Sequence, residues 1–299
     1  MKRNFALIMA IVMFLSISLS VTSFASKEVS VKEGIYTIES CLKENMMLDI
    51  KGASKSNGAN VQLYKNNGSM AQMFWIEKVG SKYKITSVNS GKVLDVQEEK
   101  LKSGTNVQQY QYKNINTQKW KFYSAGKNKY YIGCGNFALD VSGGNKNNGA
   151  NVQIYKPNST SSQAWKLNKI SAPQKVESFR AETGMGDYCI VRIDDSLMNK
   201  KGKQTAKIKL STYKENGKKS TKGEVFVVLR NMHGDFIWSG VKKGGDTIKL
   251  DDGNYMYQVY VTKYDKGDGW FANAQDWDNI PITAEFGITT KSGCSLYKK

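Results

Sequence analysis

Three carboxylates stand at nearly even spacing in the first half of this 299-residue chain: Asp49, Asp95 and Asp140. The same side chains follow each of them at the same distances. A Gln comes 13 positions later (Gln62, Gln108, Gln153) and a Tyr 15 positions later (Tyr64, Tyr110, Tyr155). A second Gln comes 23 positions later (Gln72, Gln118, Gln163), and an aromatic stands two residues beyond it (Phe74, Trp120, Trp165). A carboxylate offers about four lone-pair sites and can accept from two adjacent hydroxyls. A Gln amide donates and accepts, so it meets a hydroxyl in either sense. A Tyr ring covers an apolar C–H face while its hydroxyl stays wet. Together these groups suit a polyhydroxylated ring, a saccharide, and call for no cofactor.

Such side chains need strands and tight turns to hold them. "LDIKGASKSNGANVQLY", "LDVQEEKLKSGTNVQQY" and "LDVSGGNKNNGANVQIY" start at Leu48, Leu94 and Leu139 and match without internal insertions. A fixed period of this kind marks a repeated structural unit. Short β-rich runs surround each Asp, such as "GIYTIES", "NVQLY" and "FWIEKV" in the first unit, bounded by Gly, Asn and Ser. No sustained 3.6-residue apolar period competes with them. About four strands per unit give about twelve, and three units can close around a pseudo-threefold core that removes sheet edges. Strand alternation puts Val61 and Leu63 on one face, and Gln62 and Tyr64 on the other, standing outward together. Gln109 falls in the inner set of the second unit, which implies a displaced strand or a more exposed position.

These residues resemble the ricin B-chain-type β-trefoil lectin domains, also classed among the family 13 carbohydrate-binding modules. The resemblance covers about residues 34–170 and implies one shallow sugar pocket per repeat. It implies pockets at Asp49/Gln62/Tyr64, Asp95/Gln108/Tyr110 and Asp140/Gln153/Tyr155. It also implies a structural role for Gln72, Gln118 and Gln163, with Phe74, Trp120 and Trp165 in the core. The chain departs from the family pattern in places. Ala71, Thr117 and Ser162 stand where the family often has a sugar-binding Asn. The first unit reads Gln72-Met73-Phe74, with Trp75 displaced by one, and the stacking residue is Tyr throughout. Single shallow pockets bind weakly, but two or three on one body raise avidity by orders of magnitude.

Lys2 and Arg3, an apolar run from Phe5 to about Val21, and Ser23-Phe24-Ala25 fit a cleaved secretory signal over residues 1–25. Ser16, Ser18 and Ser20 interrupt the run, which argues against a membrane anchor. The mature protein is therefore expected to be secreted, extracellular and not inserted in a membrane. An exported chain permits disulfides among Cys41, Cys134, Cys189 and Cys294. Cys189–Cys294 is the favoured pair, because it would tie the first and last strands of the second half. Cys41 and Cys134 fall at similar places in two repeats and could form a second pair, and the spacing alone does not choose among the three possible full pairings. The cysteine spacings and the single His do not make a zinc site. The formal net charge is +18; residues 27–170 carry 21 Lys/Arg against 10 Asp/Glu. Such a chain could be drawn to anionic surfaces such as wall polymers or acidic glycans, although scattered Lys also simply keeps a surface soluble. Only four Arg occur, which argues against a nucleic-acid partner.

The expected fold class is all-β: an N-terminal β-trefoil over 34–170, a linker at 171–174 ("SAPQ"), and a β-sandwich-like domain over 175–299. No family resemblance is read in the second half. Its one suggestive loop, Asp265 to Asn279, gathers four Asp with Trp270, Phe271 and Trp277. It reads either as a long connection with tucked aromatics or as a second ligand platform. The functional reading is a non-catalytic secreted lectin. The alternatives are a glycan-targeted enzyme, or a toxin or adhesin component, with its active part in the C-terminal half. His233 is the only His and reads as a turn residue, and Glu182, Asp194 and Glu285 form no catalytic motif.

Overall fold

The computed structural model describes residues 24, 26–176, 178–182, 188–194, 206–213, 218–220, 224–250, 253–263, 283–287 and 294–298. Among them the regular structure is strand, with single 3-10 turns. The signal-like run, with Ser23 and Ala25, and the loop from Asp265 to Asn279 lie outside the described residues. Among the described residues no helix is long and apolar enough to cross a membrane.

Each repeat supplies four strands. The first gives Gly34–Ser40, Met46–Ile50, Ala59–Lys65 and Phe74–Val79. The second gives Lys82–Ser87, Val93–Val96, Thr105–Tyr110 and Lys121–Ser124. The third gives Lys129–Cys134, Phe137–Val141, Ala150–Tyr155 and Ala164–Ser171. The first and fourth strands build a barrel. Each fourth strand pairs with the first strand of the next unit, and Ala164–Ser171 returns to Gly34–Ser40, so the circle closes. Within units, first and fourth strands also pair, reduced in the middle unit to the bridge between Tyr83 and Trp120.

The second and third strands form three hairpins. Their third strands meet around the axis, with Asn60 opposite Gln108, Asn106 opposite Gln153 and Asn151 opposite Gln62. The Asn that follows each Asp by 11 residues lies here. Asn106 Nδ2 donates to Asn60 Oδ1, and Asn60 Nδ2 to Asn151 Oδ1, both at 2.9 Å. A chain of side-chain amides thus binds the three units at their centre.

Equivalent apolar residues fill the barrel: Leu48, Leu94 and Leu139, then Val61, Val107 and Val152, all fully buried. Gln109 is neither displaced nor exposed. It keeps the same register as its counterparts, opposite Leu94, and is fully buried. Its amide donates to the carbonyls of Ser54 and Ser56 at 2.8 and 2.9 Å and accepts from Ser90 Oγ at 2.7 Å. A buried amide with its groups satisfied is tolerated where a bare one is not.

The C-terminal half forms two antiparallel sheets. One is ordered Gln174–Val176, Cys294–Lys298, Tyr188–Ile193, Met256–Lys263, Glu224–Asn231, Phe236–Lys243. The other runs Ser178–Glu182, Thr283–Gly287, Ala206–Tyr213, Lys219–Ser220, with Thr247–Leu250 also on Ala206–Tyr213. Residues of both sheets, such as Val191, Leu210, Val227, Ile248 and Leu296, share one apolar core.

The expected Cys189–Cys294 disulfide is not formed: all four cysteines are free. The two strands do lie side by side, but Cys189 stands opposite Lys298 and Cys294 opposite Ile193. Four residues of strand separate the two, about 13 Å, well beyond disulfide reach. Backbone hydrogen bonds tie these strands instead. In the trefoil, burial pushes the Cys134 thiol up to about 12.

Candidate functional site

Each Asp faces its Gln directly across a hairpin, in the pairs Asp49 with Gln62, Asp95 with Gln108 and Asp140 with Gln153. The Gln amide donates to the carboxylate at 2.7 Å in the first unit and 2.9 Å in the other two. Two residues on, on the same face of the strand, lie Tyr64, Tyr110 and Tyr155, all half-buried. The sequence-predicted triads are therefore brought together three times in one geometry.

The second Gln of each unit shapes the loop beyond the Tyr. Gln72 Nε2 donates to the Lys65 carbonyl and its Oε1 accepts from the Asn67 amide, both at 3.0 Å. Gln118 does the same between Gln111 and Lys113, and Gln163 between Lys156 and Asn158. The aromatic two residues later anchors the Asp strand from below. Trp120 Nε1 donates to the Leu94 carbonyl at 3.2 Å, and Trp165 Nε1 to the Leu139 carbonyl at 3.1 Å. Each of these leucines immediately precedes the Asp. Phe74 is equally buried but brings no donor.

The folded-back loops change one expectation. The Asp do not stand out in solvent: Asp49, Asp95 and Asp140 are 4%, 5% and 4% exposed, with Gln62 and Gln108 buried and Gln153 half-buried. They form a floor, with the Tyr as the more open wall. In the middle unit that floor opens into a hollow of about 350 Å³ lined by Asp95, Gln108, Tyr110, Lys113, Glu98 and Glu99, among others. Burial raises the pKa of all three carboxyls, and the neighbouring Gln amides oppose it. Glu99 raises Asp95 further while Lys113 lowers it, and the Ser162 hydroxyl favours the charge on Asp140.

Two features of the middle unit escape the Asp/Gln/Tyr pattern. Lys113 stands 18 residues after Asp95, where the other units have Asn67 and Asn158, and its ammonium lies 4.8 Å from the Tyr110 ring centroid. Glu98 and Glu99 form the turn after the Asp, where the third unit has Gly143 and Gly144. Aligning the three units position by position displays both.

Two family models match. The one described as a ricin-type beta-trefoil lectin domain-like matches residues 23–110, and the ricin-type beta-trefoil lectin domain matches residues 81–220. The N-terminal half of this chain belongs to the ricin-type β-trefoil lectins. Such lectin domains bind carbohydrate and are not themselves catalytic. Solved structures similar to this lectin domain include a designed threefold-symmetric protein, ThreeFoil, 32% identical, covering 46% of this chain and 99% of that one, TM-score 0.45. They also include the Rhizoctonia solani agglutinin (22% identical, 48% and 100% covered, TM-score 0.43) and a Macrolepiota procera ricin B-like lectin in complex with lactose (20%, 48% and 100%, TM-score 0.40). A comparison with curated proteins gave no match.

The lectin domain is joined to the second half through its first unit. Trp75, one residue past Phe74, points away from the barrel and packs edge-on against Tyr297 at 4.9 Å. Arg192 lies over both rings, and its Nη1 reaches the Glu77 carboxylate at 2.7 and 2.8 Å. Lys55 Nζ donates to the Gly253 carbonyl at 3.2 Å. His233 sits at an exposed hairpin turn, its backbone amide on Asn231 Oδ1 and its ring 3.3 Å from Asp235.

Proposed function

We propose that this is a secreted carbohydrate-binding protein that engages glycans through up to three shallow Asp/Gln/Tyr pockets. The observation that supports it best is the threefold recurrence of one hydrogen-bonded pair, a Gln amide on a carboxylate, beside a half-buried Tyr. The Gln amide takes up one carboxylate oxygen and fixes the orientation of the acid beside the Tyr. The Tyr supplies the apolar wall. Secretion is part of this reading and rests on the N-terminal residues alone. Anionic cell-surface polymers are included among the candidate glycans because the chain is strongly basic.

The test is a glycan array probed with the full chain and with the triple variant Asp49→Ala, Asp95→Ala, Asp140→Ala. Binding by the natural chain that disappears in the variant is the expected result. Binding that survives all three changes would place recognition elsewhere. Release of reducing sugar from any bound glycan would favour an enzyme built on the C-terminal half.

A further inference from the structure

The middle pocket differs from its two siblings at three positions, all around one hollow. The turn three and four residues after each Asp passes through left-handed backbone. The first unit uses Gly52 and Ala53 there, and the third uses Gly143 and Gly144. The middle unit uses Glu98 (φ 56°) and Glu99 (φ 55°). Consecutive left-handed residues with a Cβ are unfavourable, and such strain persists where a side chain has a task. Both glutamates line the hollow with Asp95 and Tyr110.

A second observation is independent of the glutamates. Asp95, 5% exposed, lines the same hollow; its Oδ2 accepts from Gln108 at 2.9 Å and the Gln118 amide favours its charge, while its buried Oδ1 makes no direct hydrogen bond. Thr117, the counterpart of Ser162, likewise has an unpartnered buried hydroxyl. Buried acceptors of this kind are normally satisfied. A third observation concerns the ring. Asn67 and Asn158 turn their side chains to local backbone amides, at Ser69 and Thr160. Their counterpart Lys113 instead holds an ammonium over Tyr110. On a chain of net charge +18, this hollow gathers three carboxylates against one ammonium.

We infer that the middle pocket selects a sugar carrying a protonated amine, whose ammonium displaces that of Lys113 over Tyr110 and is held by Asp95, Glu98 and Glu99. The inference rests on the carbohydrate-binding reading and narrows it for one unit of three. An N-acetylated sugar keeps the ring and hydroxyls but has no charge to offer the carboxylates or the ring face. Lys113 is then an internal competitor that fills the site when no ligand is present.

The experiment is calorimetric titration of the full chain with glucosamine, galactosamine and short oligomers of each, against their N-acetylated forms, at about pH 6.5 where such an amine is charged. The amine forms should bind about tenfold tighter, the value of one charge-assisted contact. The double variant Glu98→Gly, Glu99→Gly copies the third unit and should erase the preference. Lys113→Asn copies the other two units and should increase it. N-acetylated sugars binding as well as the amines would overturn this inference and leave the lectin reading standing. An amine preference that persists without Glu98 and Glu99 would also overturn it. Failure of all these sugars, charged and neutral, would overturn this inference, and a blank glycan array with the same chain would overturn the lectin reading as well.

Discussion

Phe74–Val79 and Ala164–Ser171 hold the same place in their units, yet they serve different cores. In the third unit Trp165 fills the barrel and holds the carbonyl of Leu139. In the first unit Phe74 fills the barrel, and the indole moves one residue on, to Trp75. One residue reverses the direction of a side chain on a strand. Trp75 therefore joins the apolar core of the second half, with Ile35 and Val88. The first unit gives up an indole hydrogen bond and gains a joint. A repeat can be specialised in this way without moving its backbone.

The largest test of that comparison is at Glu77. It receives Arg192 from the second half and Lys84 Nζ at 3.2 Å from the first strand of the next unit. The Glu77, Arg192 and Lys84 side chains are 19%, 14% and 6% exposed. Glu77→Ala leaves two largely buried cations without their shared carboxylate. Urea unfolding should show a loss of about 3–5 kcal/mol. The corresponding residue of the third unit, Asn168, is exposed and donates to Glu39. Asn168→Ala should cost about 0.5 kcal/mol or less. Similar losses for both would mean that the joint contributes nothing special.

A smaller effect is expected from making the third unit resemble the first. Trp165→Phe removes the donor to Leu139 and leaves a buried carbonyl unpaired. The expected loss is about 1–3 kcal/mol, read from the same unfolding curves. A neutral result would show that the Leu139 carbonyl finds another partner.

Much of the trefoil is legible in the sequence. The period, the Gln and Tyr offsets and the strand alternation place the three hairpins and bring each Asp to its Gln. The spacing could not show that Gln72, Gln118 and Gln163 fold their loops over the site. Solvent exposure depends on tertiary contacts, and alternation along a strand carries no information about what covers it. Gln109 misled for a related reason: its partners, Ser54, Ser56 and Ser90, belong to other turns. The second half has no internal repeat to align. Its cysteines suggested a covalent tie, but register between strands decides disulfides, and register is not written in the spacing of two residues. Cys294–Lys298 is short and apolar only in part, yet it pairs on both sides.

The smallest expected effect concerns acid, and its sign separates the three floor carboxyls from ordinary surface acids. Burial raises the pKa of Asp49, Asp95 and Asp140 in the folded chain above the unfolded value. The folded state then binds protons before the unfolded state does. By linkage, stability contributed by these groups rises as pH falls through their folded pKa values, and levels off below the unfolded value. The isolating comparison is with the triple variant Asp49→Asn, Asp95→Asn, Asp140→Asn, which cannot titrate at those sites. Unfolding curves at successive acid pH values should show the natural chain gaining on the variant as pH falls. Over the same window, sugar affinity of the natural chain should fall, because protonation removes the charged acceptors while the fold stays intact. A natural chain that loses stability against the Asn variant as pH falls would show that these carboxylates are stabilised in the fold, and the picture of a desolvated floor waiting for ligand hydroxyls would have to be given up.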